Sequence, residues 1–215
     1  MRTSIKFCGL TRAADARTAI ALGASHIGVI FAGGPRMLTP ENARRMLDDA
    51  GAGARRVGVF GADALDHAPQ TASDVGLDTI QLHGDPRPAD VVAIRARFGG
   101  QIWAVARAEG SLMPEWAEGL FREADAVLVD SRVSGKLGGT GVALEWGALA
   151  HSLEDLRGET PLVLAGGLTP ENVAEAVRLL SPDVVDVSSG VESSPGVKDH
   201  DRMRAFVRAT QEPRA

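Results

Sequence analysis

Short apolar runs recur along the chain at the spacing of a strand–helix unit. Residues 5–8, 27–31, 57–60, 79–82, 102–106, 126–129, 162–165 and 184–187 are mostly rich in β-branched side chains. Each reads as a strand buried on both faces. Between them, 13–22, 41–47, 62–75, 88–98, 114–124, 170–180 and 199–209 carry apolar residues at helical spacing. Helix-start chemistry supports these assignments. In L-T-P-E-N-A (Leu38 to Ala43) and L-T-P-E-N-V (Leu168 to Val173), Thr suits the cap, Pro the first helical position and Glu the first turn. The two hexamers are nearly identical, and both follow a strand and a glycine-containing loop, which hints at an internal βα repeat.

Eight such strands alternating with helices predict a small (β/α)8 TIM barrel, with residues 1–215 as a single catalytic domain. The rival architecture is a doubly wound open sheet. Its dinucleotide-binding form wants G-x-G-x-x-G after the first strand, where this chain reads C-G-L-T-R. No linker or shift of composition marks a second domain. The polar tail after Thr210 is expected to fray.

Composition narrows the setting. One cysteine can form no internal disulfide and supplies too few thiolates for a structural zinc site, so no metal is expected and a reducing, cytoplasmic location is. Nothing resembles a signal peptide or a membrane span. Lys and Arg number 23 against 28 Asp and Glu, a net charge of −5, which argues against nucleic acid as a partner while leaving room for a local cationic pocket. The oligomeric state, monomer or homodimer, is open. The 25 glycines fall mostly at the ends of apolar runs, as turns and tight loops do.

Barrels of this kind carry their chemistry at the C-terminal ends of the strands. There this chain places Cys8, Arg36, His83, Arg107, Asp130, Gly166, Gly167 and the segment from Ser188 to Gly190. Side chains alternate along a strand, so apolar Ile5 and Phe7 facing the helices leaves Lys6 and Cys8 inside the barrel. The same parity pairs Leu128 with Asp130, Gln81 with His83, and Asp186 with Ser188. Each residue has a plainer role open to it. A lone cysteine at a strand end is more often packing than catalysis. Asp130 could brace the following loop, His83 could be a satisfied strand-end residue, and Arg36 a solvated loop charge. The group is more informative than any member, because a purely structural barrel has little reason to collect a thiol, carboxylates and cations at one end.

Two glycine loops, A-G-G-L-T-P-E-N after the seventh strand and S-S-G-V-E after the eighth, stand where barrels often bind phosphate. Glycine lets the backbone approach an anion, and N–H groups at a following helix start supply donors. A phosphorylated small molecule is therefore the expected ligand. The loop G-K-L-G-G-T-G after Asp130 is read as a lid over that ligand or as a mobile connection.

K-F-C-G-L-T-R, G-P-R-M-L-T-P-E-N-A, Q-L-H-G, V-L-V-D-S, G-G-T-G, L-A-G-G-L-T-P-E-N-V and V-D-V-S-S-G-V-E-S-S-P-G-V-K-D follow one another from residue 6 to residue 199. Together they resemble the phosphoribosylanthranilate isomerase family of tryptophan biosynthesis. The first and last motifs are the most specific. The resemblance implies a cofactor-free Amadori rearrangement of N-(5-phosphoribosyl)anthranilate to 1-(2-carboxyphenylamino)-1-deoxyribulose 5-phosphate. It implies Cys8 as general base and Asp130 as general acid. It places Arg36 at the anthranilate carboxylate, with His83, Arg107 and Asp186 as further substrate contacts. Gly166, Gly167, Ser189 and Gly190 would hold the phosphate. Two electrostatic expectations follow. Lys6 is expected to favour the Cys8 thiolate. The acid needs a like charge nearby or burial to stay protonated, and Asp186 is the candidate neighbour. Gly9 is expected to turn the chain away and leave room for the sugar.

The chain departs from the family at Ala104, where a Lys is common, and in F-A-G-G-P after strand two. It also departs in V-A-L-E-W, which holds Val142 and Glu145. These changes are expected to thin the pocket walls. The nearest rival is the histidine-pathway isomerase, or a bifunctional enzyme, but that family works with paired aspartates and strand one here ends in Cys8. A non-catalytic phosphosugar-binding barrel would be expected to lose Cys8 or Asp130.

Overall fold

The computed structural model describes residues 2–130 and 141–211, with the side chains of 141–145 left out of the description. The expectations for the loop after Asp130, for Val142 and Glu145, and for most of the tail beyond Thr210 lie outside the described residues.

Eight parallel strands close into a barrel in chain order. They are β1 (Ser4–Phe7), β2 (His26–Ile30), β3 (Arg55–Phe60), β4 (Thr79–Leu82), β5 (Gln101–Arg107), β6 (Ala126–Asp130), β7 (Leu162–Ala165) and β8 (Val184–Val187). The barrel closes where Lys6 of β1 stands opposite Asp186 of β8, while on its other side Lys6 stands opposite His26 of β2. The helices α1 (Ala13–Ala21), α2 (Pro40–Ala50), α3 (Ala64–Val75), α4 (Pro88–Arg95), α5 (Ala117–Glu123), α6 (Gly141–Glu154), α7 (Val173–Leu180) and α8 (His200–Thr210) follow the strands one by one. No helix among the described residues is long and apolar enough to cross a membrane.

The alternation along the strands builds two separate cores. Ile5, Phe7, Ile27, Val29, Ile102, Val127, Leu164 and Val185 face outward and pack under the helices. Trp103, Val105, Leu128, Val163 and Val184 fill the barrel interior. The helices complete the outer layer with one face each. Ala43, Met46, Leu47 and Ala50 of α2 are buried, as are Val173, Ala176, Val177 and Leu180 of α7, both at i, i+3, i+4, i+7 spacing. Register is set at the N-terminal end of the barrel by a device used three times. Asp78, Asp125 and Asp183 each stand just before an even-numbered strand. Each carboxylate accepts the first free N–H of the preceding strand, from Arg56, Ile102 and Leu162, at 2.7, 2.7 and 2.8 Å.

The twin hexamers fold differently. Thr39 caps α2, its hydroxyl accepting from Asn42 N–H at 3.2 Å. After Thr169 the helix does not begin until Val173. Asn172 there bridges the loop instead, accepting from Thr169 N–H and donating to the Gly167 carbonyl. The helix after strand six, α6, has no counterpart among the predicted helices. Nor does the hairpin of β9 (Glu192–Ser194) and β10 (Val197–Lys198), which turns through Pro195 and Gly196.

Candidate active site

The mouth of the barrel at the C-terminal strand ends holds a cavity of about 280 Å³. Cys8, at the end of β1, and Asp130, at the end of β6, both line it, with Gln81, His83, Asp186 and Ser188 between them around the rim. The inward parity read for each of these side chains is the one observed. Arg36 reaches the cavity from the loop after β2, and Gly166, Gly167, Ser189 and Gly190 line it from the loops after β7 and β8. Nine of the ten expected site residues therefore share one cavity.

Arg107 is the tenth and is not among the lining residues. Its guanidinium is held on the rim by an ion pair with Asp85 and by donation to the His83 carbonyl at 2.8 Å. Ala104 also differs from the expectation. It packs in the outer core with Ile102 and Ala106, so a small residue there does not thin the cavity wall. Ala32 and Gly33 of F-A-G-G-P do line the cavity.

Below the thiol lies a buried ion pair. Lys6 Nζ donates to Asp186 Oδ2 at 2.8 Å, with the lysine side chain fully enclosed. Asp186, the expected like-charge neighbour of Asp130, is thus paired with Lys6. Gly28 makes the space. A Cβ there would come within 3.1 Å of Cys8 Sγ and 3.2 Å of Lys6 Nζ. Burial pushes the Cys8 thiol above its ordinary value; Lys6 pulls it down and Asp186 pushes it up again, with burial the largest influence. Lys6 therefore favours the thiolate, as expected, but not by enough to make it the resting form. Lys6 itself loses basicity to burial and regains more than that from Asp186 and Cys8, so it stays charged.

Three buried polar atoms on residues that line this cavity have no hydrogen-bond partner among the described residues: Gln81 Oε1, Asp186 Oδ1 and Ser188 Oγ. Buried polar atoms are rarely left so. Gln81 Nε2 and His83 Nδ1 meet at 3.3 Å, which links the two on one face of β4 and its extension.

Loops seven and eight are pressed together. A Cβ on Gly190 would lie 1.9 Å from the Leu168 carbonyl oxygen, a position only glycine can occupy. Gly166 and Gly167 have φ of 95° and 63°, in the left-handed region. Arg202 of α8 ties the two loops from behind, donating to the Gly190 carbonyl and to Glu171. Gly9 is also left-handed, with φ of 68°. The room it leaves is filled by the Arg36 side chain and Ser188 Oγ, which a Cβ would meet at 2.6 and 2.9 Å, rather than kept for a sugar. Arg36 is in turn gripped by Glu192 of the hairpin, whose carboxylate also accepts from Lys198. Neither Glu192 nor Lys198 was named from sequence. Their only signal was their place in the V-E-S-S-P-G-V-K-D run.

The family model described as N-(5'phosphoribosyl)anthranilate (PRA) isomerase matches residues 5–209. The N-(5'-phosphoribosyl)anthranilate isomerase of Paracoccus denitrificans is 42% identical over 220 residues, covering 98% of this chain and 98% of the relative. Among solved structures, monomers made from the dimeric isomerase of Thermotoga maritima superpose with a TM-score of 0.80 at 30% identity, covering 98% of this chain and 100% of that one. A phosphoribosyl anthranilate isomerase in complex with reduced 1-(o-carboxyphenylamino)-1-deoxyribulose 5-phosphate superposes with a TM-score of 0.80 at 30% identity, over 97% and 98% of the two chains.

Proposed function

The chain belongs to the N-(5'-phosphoribosyl)anthranilate isomerase family, and on that premise we propose how its cavity converts N-(5-phosphoribosyl)anthranilate to 1-(2-carboxyphenylamino)-1-deoxyribulose 5-phosphate. The observation that carries the reading is the presence of one thiol and one carboxyl group, Cys8 and Asp130, in the same cavity. An Amadori rearrangement needs one acid and one base about the sugar. Asp130 gives its proton to the furanose ring oxygen, the C1–O bond breaks and the nitrogen lone pair forms the Schiff base. The Cys8 thiolate then takes the C2 proton, and the electron pair moves to give the enolamine. Loss of the enol proton and protonation at C1 yield the aminoketone and restore both groups. The raised Cys8 thiol makes the thiolate scarce but strongly basic, which suits removal of a carbon-bound proton.

The substrate's two anionic ends meet different surfaces. Arg36 takes the anthranilate carboxylate, and the backbone of Gly166, Gly167, Ser189 and Gly190 cradles the phosphate. His83 and Asp186 face the sugar between them. Arg107 acts through the rim: it holds the His83 carbonyl in place and becomes a direct contact only for a ligand that reaches past the cavity. The same reading makes residues 1–215 one catalytic domain working in the cytoplasm, as a monomer or as a homodimer like the dimeric Thermotoga maritima relative.

The test follows the fluorescence of the substrate, formed enzymatically from anthranilate and phosphoribosyl pyrophosphate. Loss of signal must be faster with the protein than by spontaneous breakdown. Cys8→Ser and Asp130→Asn should each lower kcat far more than they raise KM. No acceleration refutes the isomerase reading, and turnover near wild type in either variant refutes the roles assigned.

A further inference from the structure

Arg36 lies at the cavity, but its position is set by the hairpin of β9 and β10. Its Nε donates to Glu192 Oε1 at 2.8 Å and its Nη2 to Glu192 Oε2 at 2.6 Å. That side-on grip uses two of the five guanidinium N–H donors. It leaves Nη1 and the second Nη2 hydrogen along the opposite edge, the pair that matches a second carboxylate end-on. Glu192 is itself held from behind, because Lys198 Nζ donates to its Oε1 at 2.9 Å and to the Ser188 carbonyl at 3.0 Å. The side chains of Lys198 and Glu192 are 0% and 4% exposed, against 22% for Arg36. The anchor is thus interior and the guanidinium is its exposed end. The stem is seated as well, since Arg36 Cδ occupies the space that a side chain at Gly9 would need.

We infer that Glu192 is a positioning residue for substrate recognition: it fixes the Arg36 guanidinium side-on, with Lys198 balancing its charge, so that the free edge is presented to the anthranilate carboxylate. The inference rests on the Arg36 contact proposed above and names the group that makes it selective. An unheld arginine loses its rotamer freedom when it binds an anion; this one has lost it already. The arrangement also leaves one positive charge in excess, two cations around one carboxylate, so the pre-formed pair still attracts an anion.

The experiment compares two product analogues by titration: reduced 1-(o-carboxyphenylamino)-1-deoxyribulose 5-phosphate and its phenylamino counterpart without the ring carboxylate. Glu192→Asp keeps a negative partner for Lys198 but is one methylene short of spanning both Arg36 nitrogens. It should weaken the carboxylated analogue about tenfold and leave the other within about twofold. Glu192→Gln, with the length kept and the charge removed, should give the same split, and thermal melts establish which variants are folded. In an Arg36→Met background, neither Glu192 substitution should weaken binding further. If Arg36→Met alone binds the carboxylated analogue like wild type, the Arg36 contact fails and the inference falls with it. If Arg36→Met weakens binding but the Glu192 variants do not, or bind tighter, the positioning role is overturned. It is overturned equally if both analogues weaken together, or if the loss persists in the Arg36→Met background.

Discussion

Removing Lys6 should make Cys8 much harder to ionise, and the structure sets the size of the effect. The Gly28 Cβ position lies 3.1 Å from Cys8 Sγ and 3.2 Å from Lys6 Nζ, so the two charges are no more than about 6.3 Å apart. At an effective permittivity of about 20, that separation is worth about 2–3 kcal/mol in favour of the thiolate. Lys6→Met removes this attraction and leaves the Asp186 charge acting against ionisation. The thiolate population at a given pH should fall by a factor of roughly 30 to 160, at about 1.36 kcal/mol per decade. Cys8 is the only cysteine in the chain, so iodoacetamide labelling followed by intact mass reads this one site. The wild-type labelling rate should still be climbing at pH 9, because burial holds the thiol above its ordinary range. At pH 8 the Lys6→Met rate should be lower by the factor above, with both proteins labelled alike once denatured. Lys6→Met with Asp186→Asn removes both charges and should fall between. A Lys6→Met rate within about threefold of wild type would refute the reasoning, since the predicted loss is at least tenfold greater.

Two further outcomes follow from single positions. Burial, with the nearby Lys6 and Arg55 charges, lowers His26 to about 4 from an ordinary 6.5, against a smaller pull upward from Asp78. Its neutral form is therefore favoured in the fold, and the stability it lends is complete above pH 6.5 and lost as the pH falls towards 4. The loss is about 3 kcal/mol, and urea titrations of a His26→Gln variant should show a correspondingly flatter decline across that window. Gly190→Ala would drive a methyl group into the Leu168 carbonyl, so it should raise KM for the phosphorylated substrate by an order of magnitude or so or unfold the loop; steady-state kinetics and a thermal melt separate the two, and wild-type values in both would show that the loops are not pressed together.

What the sequence made legible was periodic or local. Alternation placed Lys6 and Cys8 inside the barrel, and it placed Asp130 with Leu128, because a strand offers only two faces and one was visibly apolar. The same rule, applied to β5, puts Ala104 with Ile102 and Ala106 on the outer face; treating it as a pocket residue overlooked its parity. Helix α6 was hidden because G-V-A-L-E-W-G-A-L-A is apolar almost throughout and shows no clean 3.6-residue stripe, although Trp146, Leu149 and Leu153 are buried. The second L-T-P-E-N hexamer misled for a different reason. Its local signal was intact, but Asn172 is recruited to bridge loop seven itself, between Thr169 N–H and the Gly167 carbonyl, and the helix starts only at Val173.

The electrostatics were out of reach because the partners are far apart in sequence. Lys6 meets Asp186 across 180 positions and Arg36 meets Glu192 across 156, and no periodicity connects them. Yet these two pairings explain how a chain with a net charge of −5 offers a site for a substrate with two anionic groups. Each acidic side chain that approaches the cavity floor or rim on this side is matched by an interior lysine, Asp186 by Lys6 and Glu192 by Lys198. That leaves Arg36 as the unbalanced charge. On the proposed reading the phosphate end is left to backbone N–H groups, which attract an anion without burying another cation. Such a division keeps the cost of buried charge low, because each enclosed lysine among the described residues has its carboxylate within hydrogen-bond distance. On the proposed reading it also confines selectivity for the carboxylate to one guanidinium whose orientation the fold has already chosen.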